Sequence, residues 1–153
     1  MTEISFSVPG LPRARQAHQF YRLKNRSGAV AVLPKESADY QTRVGCYAKE
    51  AMRGQPPIQG MVSLEVMFVF PAPQNLKKAQ REVIQRGEPL PYAKIPQDID
   101  NCCKNLLDGL KGVAIEDDRL VVDLYAGKRI GVKPLTMVKI RPITQTKESD
   151  HAE

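Results

Sequence analysis

The most regular pattern in the chain is an alternation of apolar and polar residues, which is typical of β-strands with one buried face. It begins at residues 4–8 and is strongest over residues 61–70, where every second side chain from Val62 onward is apolar. Residues 120–129 and 135–142 show further strand patterns, with a turn around Gly131 between them. The pattern therefore predicts four strands.

Three other segments have apolar residues at the 3.6-residue spacing of an amphipathic helix. The first is 38–53, with Ser37 as its predicted N-cap residue. The second and third are 74–88 and 101–111, the last with Asp100 as its N-cap residue. In the second helix the inward-facing residues are Leu76, Ala79, Val83 and Ile84, and the outward-facing cations are Lys77, Lys78, Arg81 and Arg86. The apolar stripe of the third helix comprises Cys103, Leu106, Leu107 and Leu110.

Length and composition limit how these elements can be organised. With 153 residues, 42% of them hydrophobic, the chain can bury one sizeable core but is too short for two ordinary domains. We therefore predict a small α/β (α+β) domain over residues 1–143, with a mixed sheet that carries two main helices. Residues 144–153 are polar and are expected to form a disordered tail.

The sequence also argues against membrane, disulfide and zinc classes of protein. It has no apolar run of about 18 residues and no signal-peptide pattern at its start, so we expect a cytoplasmic protein. The chain has three cysteines, Cys46, Cys102 and Cys103. Their odd number and the adjacency of two of them are unsuited to a disulfide framework, and none has zinc-ligand spacing. We expect reduced, mostly buried thiols.

Positive charge is concentrated in the first part of the chain. Residues 1–97 contain 14 Lys and Arg against 7 Asp and Glu, whereas residues 98–153 contain 9 against 10. Residues 11–33 are predicted to be a long connection in which cations alternate with Phe20 and Tyr21, a composition that suits nucleic-acid contact but also a solvated loop. The candidate DNA contacts are Arg13, Arg15, Lys24, Arg26, Lys77, Lys78, Arg81 and Lys94.

Negative charge is clustered instead, since seven of the 17 acidic residues lie within Asp98–Asp123. Asp98 and Asp100 can point to the same side of an extended segment, and a third carboxylate from residues 116–118 can converge on them. Such a cluster suits Mg²⁺, which prefers oxygen ligands, although caps and turns also use aspartate frequently. A calcium-binding EF-hand is excluded because the glycine it requires is replaced by Cys103.

The combined spacing of this block resembles the RusA family of Holliday junction resolvases. The matching residues are Asp98-Ile99-Asp100-Asn101, Lys104, Leu107-Asp108-Gly109-Leu110, Glu116-Asp117-Asp118 and Val121-Val122-Asp123. The opening Pro9-Gly10, Pro12-Arg13 and Arg15 is also similar to that family. The resemblance extends over most of residues 4–141.

The resemblance implies an active site formed by Asp98, Asp100, Asp118 and Lys104, in which the three aspartates bind Mg²⁺ or Mn²⁺. It also implies a homodimer that binds four-way junction DNA and makes paired, symmetric nicks. Many members have a basic residue where this chain has Gln97, so Lys94 or a loop arginine is expected to take over that phosphate contact. Two alternatives remain: a metal-dependent nuclease that prefers forks or flaps, and a DNA-binding module without cleavage.

Overall fold

The computed structural model describes residues 2–24 and 27–144. Its helices are α1 (Lys35–Met52), α2 (Lys78–Gln85) and α3 (Ile99–Leu110). Its strands are β1 (Ile4–Pro9), β2 (Gln19–Arg22), β3 (Ala29–Val32), β4 (Val62–Pro71), β5 (Leu90–Pro91), β6 (Val121–Gly131) and β7 (Leu135–Pro142). All four predicted strands and all three predicted helices are confirmed, with differences of up to four residues at their ends.

The larger sheet has five strands in the order β1-β7-β4-β6-β5. Strand β4 lies at its centre, parallel to β6 and antiparallel to β7, so the sheet is mixed. Although β6 and β7 follow each other in the chain, they lie on opposite sides of β4. The predicted class, a small α+β domain with a mixed sheet, is confirmed.

Helices α1 and α3 pack against each other and cover one face of the sheet. The apolar positions at which the sequence predicted burial, such as Val44, Leu64 and Leu106, are almost fully buried there. The helices approach closely at Gly109, where an added Cβ atom would lie only 2.9 Å from side-chain carbons of Val44. A larger residue at this position would push α3, which carries two of the predicted acids, away from α1.

Both predicted N-cap residues were wrong by a few positions. Helix α1 begins at Lys35, with Pro34 as its N-cap residue. Ser37 is buried inside the first turn, where its hydroxyl accepts a hydrogen bond from the main-chain N–H of Gln16 at 3.0 Å. Helix α3 has Asp98 as its N-cap residue, which places Asp100 in the first turn.

The predicted connection over residues 11–33 contains secondary structure that the sequence did not reveal. Strands β2 and β3 pair in an antiparallel hairpin, in which Gln19 pairs with Val32 and Arg22 with Ala29. Every residue of these two strands is exposed. Burial therefore left no pattern in the sequence from which the strands could be predicted.

The remaining expectations have mixed outcomes. Helix α2 buries Ile84, but Ala79 is exposed rather than inward-facing. Cys102 and Cys103 are buried as expected, whereas Cys46 is exposed, and all three are free thiols. Of the predicted tail, residues 145–153 lie outside the described residues. Within residues 2–24 and 27–144, no helix is both long and apolar enough to cross a membrane.

Candidate active site

The beginning of α3 carries two of the predicted metal ligands. Asp98 is the N-cap residue in extended conformation, with φ −73° and ψ 135°, and Asp100 lies in the first turn. Both residues are exposed. The free N–H groups and the dipole of a helix N-terminus favour negative charge, so this position suits two carboxylates.

The third predicted ligand lies in the turn before β6. Asp118 begins a short 3-10 helix, Asp118–Leu120, and is exposed. Its neighbour Asp117 accepts hydrogen bonds from the main-chain N–H of Arg119 at 2.9 Å and from its Nε atom at 3.2 Å. The main-chain bond is the largest cause that lowers the pKa of Asp117 to about 2. Asp117 therefore shapes the turn, which leaves Asp118 as the outward-facing acid of the pair.

A single copy of the chain does not bring the three acids together. The ammonium of Lys128, in the second half of β6, donates a hydrogen bond to the carbonyl of Gln97 at 2.8 Å, so this part of β6 lies beside the beginning of α3. Asp118 instead precedes β6, and the strand between residues 121 and 128 extends by roughly 23 Å. The length of the strand therefore separates Asp118 from Asp98 and Asp100. Among the described residues, no three His, Cys, Asp or Glu side chains are close enough to hold a metal ion.

The acids nevertheless have the right chemistry for a hard divalent cation. The chain contains 23 Lys and Arg, yet none of the ion pairs among the described residues involves Asp98, Asp100 or Asp118. Carboxylate oxygens are the protein ligands that Mg²⁺ takes, usually with water in its remaining positions. The three residues fit a metal by their donor atoms, and their role as ligands stays a prediction.

Lys104 lies on the solvent-facing side of α3. It is exposed and follows Asp100 by four residues, which makes the two side chains neighbours on the helix surface. The leucines of the helix face the opposite way, into the core. The structure thus places Lys104 beside Asp100 on the exposed side of α3, and its catalytic role stays a prediction.

The segment that precedes the hairpin runs along α3. The main-chain N–H of Arg15 donates to the carbonyl of Asn101 at 2.9 Å, and Nη1 of Arg15 lies 3.4 Å from Oδ2 of Asp108. Asn105 Nδ2 donates to the carbonyl of Arg13 at 3.1 Å. Arg13 and Arg15, both predicted DNA contacts, are therefore held next to the helix that carries Asp98 and Asp100.

Asn105 is a residue whose importance the sequence analysis missed. It is fully buried on α3, and its Oδ1 atom accepts a hydrogen bond from Nε2 of Gln41 in α1 at 2.9 Å. A buried amide needs such partners. The sequence does carry a signal, because Asn105 is a polar residue beside the leucine stripe of the helix.

The other predicted DNA contacts lie further along the chain. Lys77, Lys78 and Arg81 are exposed at the beginning of α2, and Lys24 is exposed in the turn of the hairpin. Lys94 is also exposed and lines, with Gln97, a pocket of about 230 Å³ beside the approach to α3. Arg26 lies outside the described residues. That these cations contact DNA stays a prediction.

The protein is a small α+β domain with a mixed sheet, and helix α3 carries exposed acids within a basic chain. This combination suits a protein that acts on a polyanion. The family model described as Endodeoxyribonuclease RusA matches residues 9–141, so the chain belongs to the RusA endodeoxyribonuclease family. The resemblance seen in the sequence is confirmed. Membership of this family implies that the protein is an endodeoxyribonuclease.

One relative is similar over nearly the whole chain. Uncharacterized protein YqaN of Bacillus subtilis (strain 168) is 29% identical over 143 residues, which cover 92% of this chain and 97% of the relative. The similarity therefore extends over all but about a tenth of the chain.

Proposed function

We propose that the protein is a divalent-metal-dependent endonuclease that resolves four-way DNA junctions. The observation that carries this proposal is the pair of exposed acids, Asp98 and Asp100, at the beginning of a well-anchored helix in a chain of the RusA family. A net charge of +6 favours binding to the phosphate backbone of DNA, whereas carboxylates with no ion-pair partner among the described residues repel that backbone. Two such carboxylates at one helix N-terminus therefore support a metal-binding role rather than a role in binding alone.

Each predicted site residue has a distinct role in this proposal. Asp98, Asp100 and Asp118 hold Mg²⁺, for which Mn²⁺ can substitute. When bound, the metal lowers the pKa of a water molecule and offsets charge on the leaving oxygen. Lys104 contacts the reacting phosphate or orients the Asp100 carboxylate, and in either position its charge stabilises the transition state.

The exposed edge of β6 supports a homodimer. Val122, Leu124 and Tyr125 are 51%, 44% and 65% exposed, which is unusual for apolar residues in a strand. Among the described residues, only β5 pairs with this edge, at Arg129 and Ile130, and the earlier residues of β6 have no strand partner there. An apolar edge of this kind readily pairs with another strand. We propose that it pairs with β6 of a second copy.

Such a dimer would also complete the metal site. If two β6 edges pair antiparallel about a two-fold axis, the beginning of one strand lies beside the end of the other. Asp118 of one copy would then approach Asp98 and Asp100 of its partner. Two identical sites related by this axis suit a four-way junction, in which two strands are nicked symmetrically.

The substrate is tested by incubating the purified protein with synthetic DNA of defined shape. A four-way junction, a fork, a flap and a linear duplex are each compared with Mg²⁺ and with a chelator. We expect paired symmetric nicks in the junction, only with metal. Preferential cutting of forks or flaps would show that these, and not the four-way junction, are the substrate. Binding without cutting, with or without metal, would show that the protein is a DNA-binding module.

The shared site is tested by mixing two inactive variants. If Asp118 acts in the partner's site, a dimer of one Asp98→Asn copy and one Asp118→Asn copy contains one intact site and one doubly altered site. Each variant alone should be inactive, and their mixture should regain single-strand nicking. If the mixture remains inactive after subunit exchange, the three acids do not combine across a dimer.

A further inference from the structure

Lys128 interrupts the apolar face of β6. Lys128 pairs with Phe68 of β4 in the register of the sheet. The β6 residues on the same face pair in the same way: Leu124 with Leu64, Ala126 with Val66 and Ile130 with Phe70. Those four β4 residues are all buried and face the helices. Lys128 is half-buried, so its ammonium benefits from polar partners, because even partial removal of a charge from water costs free energy.

The partners of Lys128 are main-chain carbonyls just before α3. Its Nζ atom donates a hydrogen bond to the carbonyl of Gln97 at 2.8 Å and to that of Ile95 at 3.4 Å. Hydrogen bonds from an ammonium are stronger than those between neutral groups. A side chain of the sheet thereby fixes the segment from which Asp98 projects.

The bonded carbonyls lie directly before the first predicted ligand. Gln97 is the residue that precedes Asp98, the N-cap residue of α3, and Ile95 lies two residues earlier and is buried. The ammonium of Lys128 therefore holds the main chain one residue away from Asp98.

We propose that Lys128 is a positioning residue for the metal site. By holding the carbonyls of Ile95 and Gln97, its ammonium sets the direction in which the Asp98 carboxylate leaves the helix N-terminus. This inference rests on the proposed function, because it assumes that Asp98 is a metal ligand. Groups that orient metal ligands from outside the coordination sphere commonly change metal affinity or activity by about 10- to 100-fold when they are removed.

The test uses Lys128→Met, which keeps an unbranched apolar stem of similar length and removes the ammonium. We expect its affinity for Mn²⁺, measured by titration with electron paramagnetic resonance detection, to fall by about 10- to 100-fold. In the metal-free protein, hydrogen exchange of the main-chain amides in the first turn of α3 should become faster. Lys128→Arg, which keeps a charged donor, should recover part of the affinity. Lys133→Met, which removes an exposed cation from the turn before β7, is the matched control and should behave as wild type.

The sign of the change in Mn²⁺ affinity separates positioning from simple charge. Removing a cation beside metal ligands would by itself tighten cation binding. Tighter or unchanged Mn²⁺ affinity in Lys128→Met would therefore overturn the inference. If the wild-type protein bound no Mn²⁺, the proposed metal-dependent function would fail, and hydrogen exchange would still decide whether Lys128 holds the beginning of α3. Unchanged exchange would exclude that role too.

Discussion

Helix α3 and the β2–β3 hairpin both carry residues that the sequence predicts to act on DNA, but they are built in opposite ways. Helix α3 buries Cys102, Cys103, Asn105, Leu106, Gly109 and Leu110. Every strand residue of the hairpin is exposed, including Phe20 at 73%. Asp98 and Asp100 thus project from a well-packed element, whereas Phe20, Tyr21 and Lys24 project from a peripheral one. This difference suggests that cleavage and binding can be altered separately.

The largest expected effect concerns the stability of the two regions. Leu106 is fully buried, so Leu106→Ala should lower the free energy of unfolding by about 2–5 kcal/mol, measured by chemical denaturation. Phe20→Ala, in the hairpin, should change it by less than about 0.5 kcal/mol. A similar loss of stability in both variants would contradict the contrast between an anchored helix and a peripheral hairpin.

Lys104 tests whether the exposed side of α3 acts in catalysis. Lys104→Ala should melt like wild type and bind junctions, while its single-turnover cleavage rate falls by about 100- to 1000-fold, as for loss of a preorganised donor. Lys104→Arg should rescue poorly, because its planar guanidinium does not reproduce a compact ammonium. Lys111→Ala, at the end of the same helix, is the control. Near-wild-type cutting by Lys104→Ala would make this residue an ordinary surface lysine.

The hairpin is expected to contribute to binding alone. The double substitution Phe20→Ala and Lys24→Ala should weaken junction binding by about 1–3 kcal/mol, the usual effect of losing one stacked base. Its salt dependence should also become shallower by about one unit, because one phosphate contact is lost. The cleavage rate of the bound junction should stay the same. A reduced rate at saturating protein would show that the hairpin takes part in the chemical step.

Arg15 lies between the two regions and should have the smallest effect. Its ion pair with Asp108 is partly exposed, so Arg15→Ala should cost no more than about 1 kcal/mol of stability. The variant should bind junctions more weakly with the same dependence on metal concentration, and Arg13→Ala should behave likewise. A changed metal dependence in either variant would place that arginine in the metal site.

The same contrast explains what the sequence could and could not predict. Strand β4 and helix α3 were predictable because burial selects apolar residues at regular spacing, as at Leu64 and Leu106. The hairpin was missed because its pairing uses main-chain groups and buries none of its residues. The acids were predicted from their spacing and from the resemblance to the RusA family, and their role as ligands stays a prediction. The contact between Lys128 and Gln97 was not predictable, because it joins residues 31 positions apart through the packing of β6 beside α3.

The central claim, that three acids hold the metal used in cleavage, is tested most directly by single-turnover cutting of a synthetic four-way junction at saturating Mg²⁺. Asp98→Asn, Asp100→Asn and Asp118→Asn should each abolish cutting while retaining junction affinity, since binding depends on the basic surface. Asp39→Asn, which changes an exposed acid on α1, should cut at the wild-type rate. Wild-type cutting by any one of the first three variants would show that its aspartate is not a metal ligand.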